Sequence, residues 1–224
     1  MISNLGYTKF MEFKKFLSLI FVLAFNLWIW KIFQFSLLIA ILTVATTVLI
    51  YLANQLNNKY CFFLSIPLVL LLVIFQYKTT LKTQLIDASN LSKLVQSLSL
   101  FNKLGENLSQ NIDPSLYFFA NHPRERYGVI EFEKFPYILL VAFIIGFVSL
   151  KKTDLRIILL ALSPIIILTF IGNNNPIGPF SLFPLLVLVT TIGVSKIVSK
   201  KLLFLPGLII CILIFIQIIS YAKY

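Results

Sequence analysis

The sequence predicts an all-α fold: a polytopic transmembrane helical bundle of about seven spans, with one outer segment containing an amphipathic helix. Of the 224 residues, 59% are hydrophobic and only 12% are charged, whereas a soluble domain is about half apolar and about a quarter charged. The apolar residues form continuous runs near the length of a membrane crossing, not alternating ones, which favours helices over barrel strands. The basic residues gather at the ends of those runs, as they do in membrane proteins.

The same composition argues against other classes of protein. The net charge of +11 does not indicate nucleic-acid binding, because the charge lies at span ends and not on a soluble face. Cys61 and Cys211 fall in different apolar runs, which predicts free thiols. The first apolar run is long enough to stay as an anchor, and no small-residue cleavage site follows it.

Seven spans are predicted in three groups along the chain. Residues 1–77 hold three spans, residues 78–136 form an extracytoplasmic segment, and residues 137–224 hold four spans. Pro67, Pro164 and Pro206 lie inside spans, where proline is tolerated. In chain order the spans are Phe16–Trp30, Phe35–Ala53, Tyr60–Tyr77, Phe135–Leu150, Arg156–Ile171, Phe180–Val194 and Leu202–Ile219.

The boundary between the first two spans has the weakest signal. The run from Phe16 to Ala53 is too long for one crossing, at about 57 Å for a helix that rises 1.5 Å per residue. Only Lys31 and Gln34 interrupt it, and no Gly or Pro marks a turn. The sequence favours a tight hairpin with Trp28 and Trp30 at the membrane interface. The alternative is a membrane-lying segment followed by one span.

Lysine and arginine predict the orientation. With the N-terminus in the cytoplasm, ten basic residues lie at cytoplasmic span ends and two at short outer ends, which is the usual bias for short loops. The segment from Lys78 to Pro136 is then outside, with five Lys, two Arg and six acidic residues. We therefore expect an integral protein of a bacterial plasma membrane, with the lipid bilayer as its first partner.

The first part of the outer segment predicts an amphipathic helix. Between Leu81 and Leu108, apolar residues recur at steps of three and four with polar residues between them, giving a helix of up to about 28 residues. Such a helix could lie on the outer membrane surface or pack over the bundle. Gly105 is a candidate position for its end or for a kink.

The second part of the outer segment carries the candidate binding residues. Asp113-Pro114 predicts a turn, and a run of aromatic and basic residues follows it. Paired arginines beside aromatics above a membrane suit an anionic lipid or a sugar phosphate, because the guanidinium fork makes two hydrogen bonds to phosphate. In the alternative reading the arginines pair with Glu125, Glu131 and Glu133 or touch headgroups, and the aromatics form an interface belt. The candidate residues are Tyr117, Phe118, Phe119, His122, Arg124, Arg126 and Tyr127.

Other kinds of site have little support in the sequence. His122 is the only histidine, and a zinc site usually takes three or four protein ligands, so no metal and no cofactor are predicted. No nucleophile elbow or triad is present. The spans hold no ionisable residue in their middle, which disfavours a proton-coupled transporter. Asn26, the main polar exception, could hold two helices together.

Residues 109–194 resemble a region of the C-type membrane glycosyltransferases, the family of protein mannosyltransferases and lipid A aminoarabinose transferases. The resemblance lies in the run from Asp113 to Phe119, the His122-Pro123-Arg124 triplet, the acidic stretch that enters the span at Phe135, and the Asn173–Pro176 turn with its following span. The family takes a sugar from a polyprenyl phosphate carrier on the outer face, using an acidic residue of the first outer loop. In this chain the first outer turn, Lys31 to Gln34, has no acidic residue.

The resemblance therefore implies a fragment of the C-terminal half of such an enzyme, without the catalytic first loop. It implies binding of a lipid-linked sugar, with Arg124 and Arg126 on the carrier phosphate and the neighbouring aromatics on lipid or sugar. Catalysis by the chain alone is not expected, since only Asp113 or Glu125 could supply a base there. The alternative is a structural or accessory subunit of a larger membrane enzyme, with no substrate of its own.

Overall fold

The computed structural model describes residues 15–80, 93–119, 132–150, 154–172 and 175–199. No strand occurs within these ranges, and the predicted all-α fold is confirmed there. A 3-10 turn at Phe180–Leu182 leads into the last described helix. In chain order the α-helices are α1 (Lys15–Ala24), α2 (Leu27–Phe35), α3 (Leu37–Leu56), α4 (Lys59–Thr79), α5 (Lys93–Ile112), α6 (Ser115–Phe118), α7 (Leu139–Ser149), α8 (Leu155–Ile171) and α9 (Phe183–Ser199).

Three described helical stretches are long and apolar enough to cross a membrane, which is consistent with an integral membrane protein. They are Leu37–Leu56, Lys59–Thr79 and Phe180–Val198. The pair α1 and α2 counts as a fourth if it is one span, although it is bent by 58°. Helices α7 and α8 are apolar but shorter, so the predicted number of seven spans is not confirmed. The predicted span Leu202–Ile219 lies outside the described residues.

The first predicted span is broken at Asn26, where the sequence predicted continuous helix. The Asn26 side-chain oxygen accepts hydrogen bonds from the backbone N–H groups of Trp28, at 2.8 Å, and Ile29, at 3.3 Å. Asparagine is a preferred N-cap because this bond satisfies N–H groups that have no partner inside the helix. The predicted hairpin turn, Lys31 to Gln34, is instead helical, and the next break comes at Ser36, the N-cap of α3.

Helix α7 covers only the second part of the predicted span Phe135–Leu150. The chain before it is held in a non-helical path by two N–H groups, those of Lys134 and Phe135, which both donate to the Tyr117 carbonyl oxygen. The Glu133 carboxylate accepts a 2.7 Å hydrogen bond from the Tyr137 N–H. Regular helix therefore begins only at Leu139.

Helices α7 and α9 approach each other very closely through two glycines. A Cβ atom built on Gly146 would lie 2.8 Å from the Val189 carbonyl carbon, and one built on Gly193 would lie 2.6 Å from that of Ala142. Side-chain carbons do not occupy such positions, so only glycine permits this contact. Gly146 follows Ala142 by four residues, the small-xxx-small spacing that lets membrane helices meet backbone to backbone.

Helix α3 packs against α4 and α9 and buries several hydroxyl groups. Thr43, Thr46 and Thr47 are fully buried, and each hydroxyl donates to the carbonyl four residues earlier, at 2.7 Å. These bonds satisfy the hydroxyls within the helix itself, so they need no partner across the interface. On the outside of the bundle, large apolar side chains such as Leu38 and Leu70 are exposed, as expected of surfaces that face lipid.

The predicted amphipathic helix is confirmed over Lys93–Ile112, while residues 81–92 lie outside the described chain. It continues through Gly105 and ends at Asp113-Pro114. Helix α5 packs against α8, and the Asn107 side chain donates a 3.0 Å hydrogen bond to the Thr169 carbonyl. These contacts place α5 against α8, while its large apolar side chains Leu100, Phe101 and Ile112 stay exposed, so contact with the membrane surface stays a prediction.

Candidate functional site

Four segments of the chain meet at the end of the bundle where α4 finishes. We call this meeting point the polar junction, and we define it by Trp28, Gln76, Lys134 and Asn175. These four residues come from the start of α2, the last turn of α4, the approach to α7 and the turn before α9. All four are buried, so the junction is an internal feature and not an open surface.

The turn at residues 175–182 lies at the centre of the polar junction. The Asn175 side-chain oxygen accepts from the Ile177 N–H at 3.0 Å, and its amide donates to the Thr79 hydroxyl at 2.6 Å. Gly178 has a φ angle of +76°, a backbone conformation that costs a side-chain-bearing residue roughly 1–2 kcal/mol. The asparagine and the glycine therefore fix both the shape of this turn and its attachment to α4.

Gln76 joins α4 to the same turn with both ends of its amide. Its nitrogen donates to the Gly178 carbonyl at 3.3 Å, and its oxygen accepts from the Ser181 N–H at 3.2 Å. Burial of an amide is unfavourable unless its donor and acceptor groups are satisfied, and here each has a backbone partner. Gln76 thus binds the end of one span to the beginning of another.

Trp28 closes the junction from the side of α2. Its indole N–H donates to the Ile177 carbonyl at 2.5 Å, and its backbone N–H lies 3.1 Å from the Lys134 carbonyl oxygen. Its ring contacts Phe183, Tyr117 and Phe135, with centroids 5.4, 5.8 and 6.1 Å away. The sequence predicted Trp28 at the membrane interface, but its side chain is fully enclosed by protein. Trp30 is exposed.

Lys134 places a positive charge inside the junction. Its ammonium group donates to the Leu116 carbonyl at 2.8 Å and lies 5.1 Å from the Phe132 ring centroid and 5.9 Å from that of Trp28. Aromatic faces attract cations at this range. A Cβ atom on Gly178 would lie 2.6 Å from the Lys134 Cε, so the glycine also makes room for the lysine stem.

The structure describes three of the seven predicted binding residues. Tyr117 and Phe118 are buried: the Tyr117 hydroxyl donates to the Asn111 carbonyl at 2.8 Å, and the Phe118 ring packs on Phe135 and Phe143. Phe119 is 46% exposed and is the one of the three that presents a large surface. His122, Arg124, Arg126 and Tyr127 lie outside the described residues, and substrate contact by all seven stays a prediction.

Sequence reasoning missed Gln76 and Lys134 as parts of one site. The available signal was a lone glutamine near the end of an apolar run, together with a lysine directly before a span. Neither signal indicates which residue the side chain contacts, since Gln76 and Gly178 are 102 residues apart in the chain. Within the described ranges, no group of three or more His, Cys, Asp or Glu residues could hold a metal ion.

No protein-family model, curated protein or solved structure matches this chain.

Proposed function

We propose that this chain is a multi-pass membrane protein related to the later half of polyprenyl-phosphate-sugar-dependent glycosyltransferases. It binds a lipid-linked sugar at the end of the bundle that holds the polar junction, and it is not catalytic alone. The observation that carries this proposal is the base of the segment between Phe119 and Phe132. The N–H groups of Lys134 and Phe135, which follow that segment, both donate to the carbonyl oxygen of Tyr117, which precedes it, at 3.1 and 2.8 Å.

This base supports the proposal through the two flanks of the segment that carries Arg124 and Arg126. Its described flanks, at Tyr117 and Lys134, both lie at the end of the bundle where Trp28 is buried. Two guanidinium groups suit a phosphate that carries a sugar on one side and a lipid on the other. The buried Lys134 side chain lies at the same end of the bundle as these flanks.

The expectation that the chain is not catalytic alone rests on residues Lys31 to Gln34, which the sequence predicted as the first outer turn. The related enzymes use an acidic residue there, and Lys31 to Gln34 contains none. These residues lie inside α2, so they do not form a loop that could reach over a sugar. A second chain would have to supply the acidic residue for transfer to occur.

The test is the binding of a polyprenyl phosphate by the protein in nanodiscs. We expect the double variant Arg124→Ala/Arg126→Ala to bind at least about tenfold more weakly, since charge-assisted hydrogen bonds contribute about 1.5–3 kcal/mol each. The matched control is Lys31→Ala/Lys103→Ala, which removes the same charge from α2 and α5 and should bind normally. Unchanged binding by the arginine variant would refute the proposed function.

A structural or accessory subunit without a substrate is the second candidate. It is favoured by the burial of Tyr117 and Phe118, because two of the predicted contact residues then pack inside the protein and do not face a substrate. Under this alternative, the chain copurifies with a larger membrane enzyme, and the arginine variant has no effect on lipid binding. Recovery of the chain only as a lone monomer would argue against it.

A further inference from the structure

The bundle has a groove at its other end, between the α3–α4 turn and the start of α8. Its volume is about 320 Å³, within the range of about 300–1,000 Å³ usual for small-ligand sites. Along α4, the groove residue Lys59 and Gln76 are separated by a rise of about 25 Å. One wall is polar and is formed by Asn57, Asn58, Lys59, Asp154 and Arg156.

The polar wall carries two cations, Lys59 and Arg156, and one carboxylate, Asp154, which leaves an excess of one positive charge. The Asp154 carboxylate caps α8 by accepting from the Arg156 N–H at 2.9 Å, and the Asn58 oxygen caps α4 by accepting from the Tyr60 N–H at 2.9 Å. The side chains of Lys59 and Arg156 are exposed. Within the described residues, neither forms an ion pair, so both charges are available to an anion.

The other residues that line the groove form an apolar wall. Ala53 and Ile157 are buried, Phe62 is half-buried, and Phe63 is 64% exposed. Beyond the groove, the large side chains of Leu64, Leu155 and Leu159 are also exposed. A small soluble anion gains nothing from such a wall, whereas an amphiphile can place its acyl chains there and bury apolar surface.

We propose that this groove binds the phosphate headgroup of an anionic glycerophospholipid from the adjacent leaflet. Lys59 and Arg156 bind the headgroup phosphate, and the wall formed by Phe62 and Phe63 takes the first part of an acyl chain. The phosphate group could belong to a lipid headgroup or to a free anion, and the apolar wall favours the lipid. The site is at the other end of α4 from the polar junction and does not depend on the proposed function.

The experiment uses the full chain in mild detergent with phosphatidylglycerol as the probe. Saturable binding is measured by native mass spectrometry, and the melting temperature is followed during the same lipid titration. The test variant is Lys59→Gln/Arg156→Gln. The control is Lys31→Gln/Lys103→Gln, which removes an equal charge away from the groove. Melting curves without lipid show whether each variant is folded before binding is compared.

We expect one saturable lipid on the wild type and on the control. The test variant should bind it about tenfold more weakly, the effect of two exposed cation–phosphate pairs, while keeping its melting temperature without lipid. Inorganic phosphate alone should not stabilise the wild type at the lipid concentrations used. Undiminished binding by the test variant, an equal loss in the control, or equal stabilisation by inorganic phosphate would each overturn the assignment.

A second test uses the apolar wall and does not change charge. The substitution Phe63→Ser removes an exposed ring from the groove and should weaken phosphatidylglycerol binding, because acyl-chain contact is lost. Phe33→Ser removes an exposed ring from α2 and is the matched control. If both serine variants bind the lipid like the wild type, the groove does not hold acyl chains and the lipid assignment is wrong.

Discussion

The substitution Gly193→Ala tests the closest contact in the bundle. A methyl group on Gly193 would lie 2.6 Å from the Ala142 carbonyl carbon, whereas carbon atoms in contact sit about 3.5–4.0 Å apart. The carbonyl group of Ala142, whose oxygen lies still closer, belongs to a helix backbone and cannot rotate away, so α7 and α9 must separate by more than about 1 Å. Overpacking of this kind costs about 1–3 kcal/mol.

The same substitution is favourable at a helical glycine that has open space beside it. Glycine in a helix interior is about 0.5–1 kcal/mol less stable than alanine. At Gly105, in the exposed middle of α5, a Cβ atom would meet no atom within 4 Å. Gly105→Ala is therefore the matched control, and it should raise stability by up to about 1 kcal/mol.

The assay is denaturant or thermal unfolding of the purified chain in detergent, with wild type, Gly193→Ala, Gly146→Ala and Gly105→Ala in parallel. We expect lower stability for the two variants at the helix contact and equal or higher stability for the control. A Gly193→Ala protein as stable as the wild type would show that α7 and α9 do not meet backbone to backbone. The reasoning about their packing would then be wrong.

Three further predictions concern Gln76, Gly178 and Asn26. Gln76→Leu should destabilise the fold by about 1–3 kcal/mol, because two backbone groups of the 175–182 turn lose their partner; unfolding in detergent measures this, and an unchanged midpoint refutes it. Gly178→Ala should lower the melting temperature, since its positive φ disfavours alanine and the methyl group would displace Lys134; a wild-type melting curve contradicts this. Asn26→Ala should cost about 1 kcal/mol through loss of a cap, and more than Ser36→Ala, whose contact is longer at 3.4 Å. Equal losses at the two caps would argue against the break at Asn26.

The long apolar runs made several elements predictable. The predicted spans Tyr60–Tyr77 and Arg156–Ile171 correspond closely to α4 and α8, because continuous apolar sequence with charged ends leaves helix as the stable choice in a membrane. The proline inside each run did not end the helix. Helix α5 was predictable for another reason, its apolar residues at steps of three and four.

The helix break at Asn26 could not be predicted from the local sequence in the same way. A helix in the middle of an apolar run ends only when another set of contacts is better, and here the competing set includes an Asn26 cap and the burial of Trp28. The second contribution depends on Ile177, which lies 149 residues away. Local sequence contains the capping signal but does not contain the distant partner.

The candidate site was predictable in part. The sequence located the aromatic and basic run after Asp113-Pro114 and a turn at Asn175, and the structure brings the described portions of these segments to one end of the bundle. It did not separate Tyr117 and Phe118, which are buried, from Phe119, which is exposed. An aromatic run looks the same whether it packs inward or faces a ligand, and only the three-dimensional neighbours decide between the two.

Orientation in the membrane is the central claim, because it decides on which side of the membrane the end of the bundle that holds the polar junction lies. The direct measurement is labelling of intact cells with a membrane-impermeant maleimide, after Cys61→Ser and Cys211→Ser. Phe119→Cys and Arg156→Cys place thiols at exposed positions on opposite ends of the bundle. We predict that Phe119→Cys is labelled in intact cells and Arg156→Cys only after permeabilisation. Labelling in the reverse order would contradict the account.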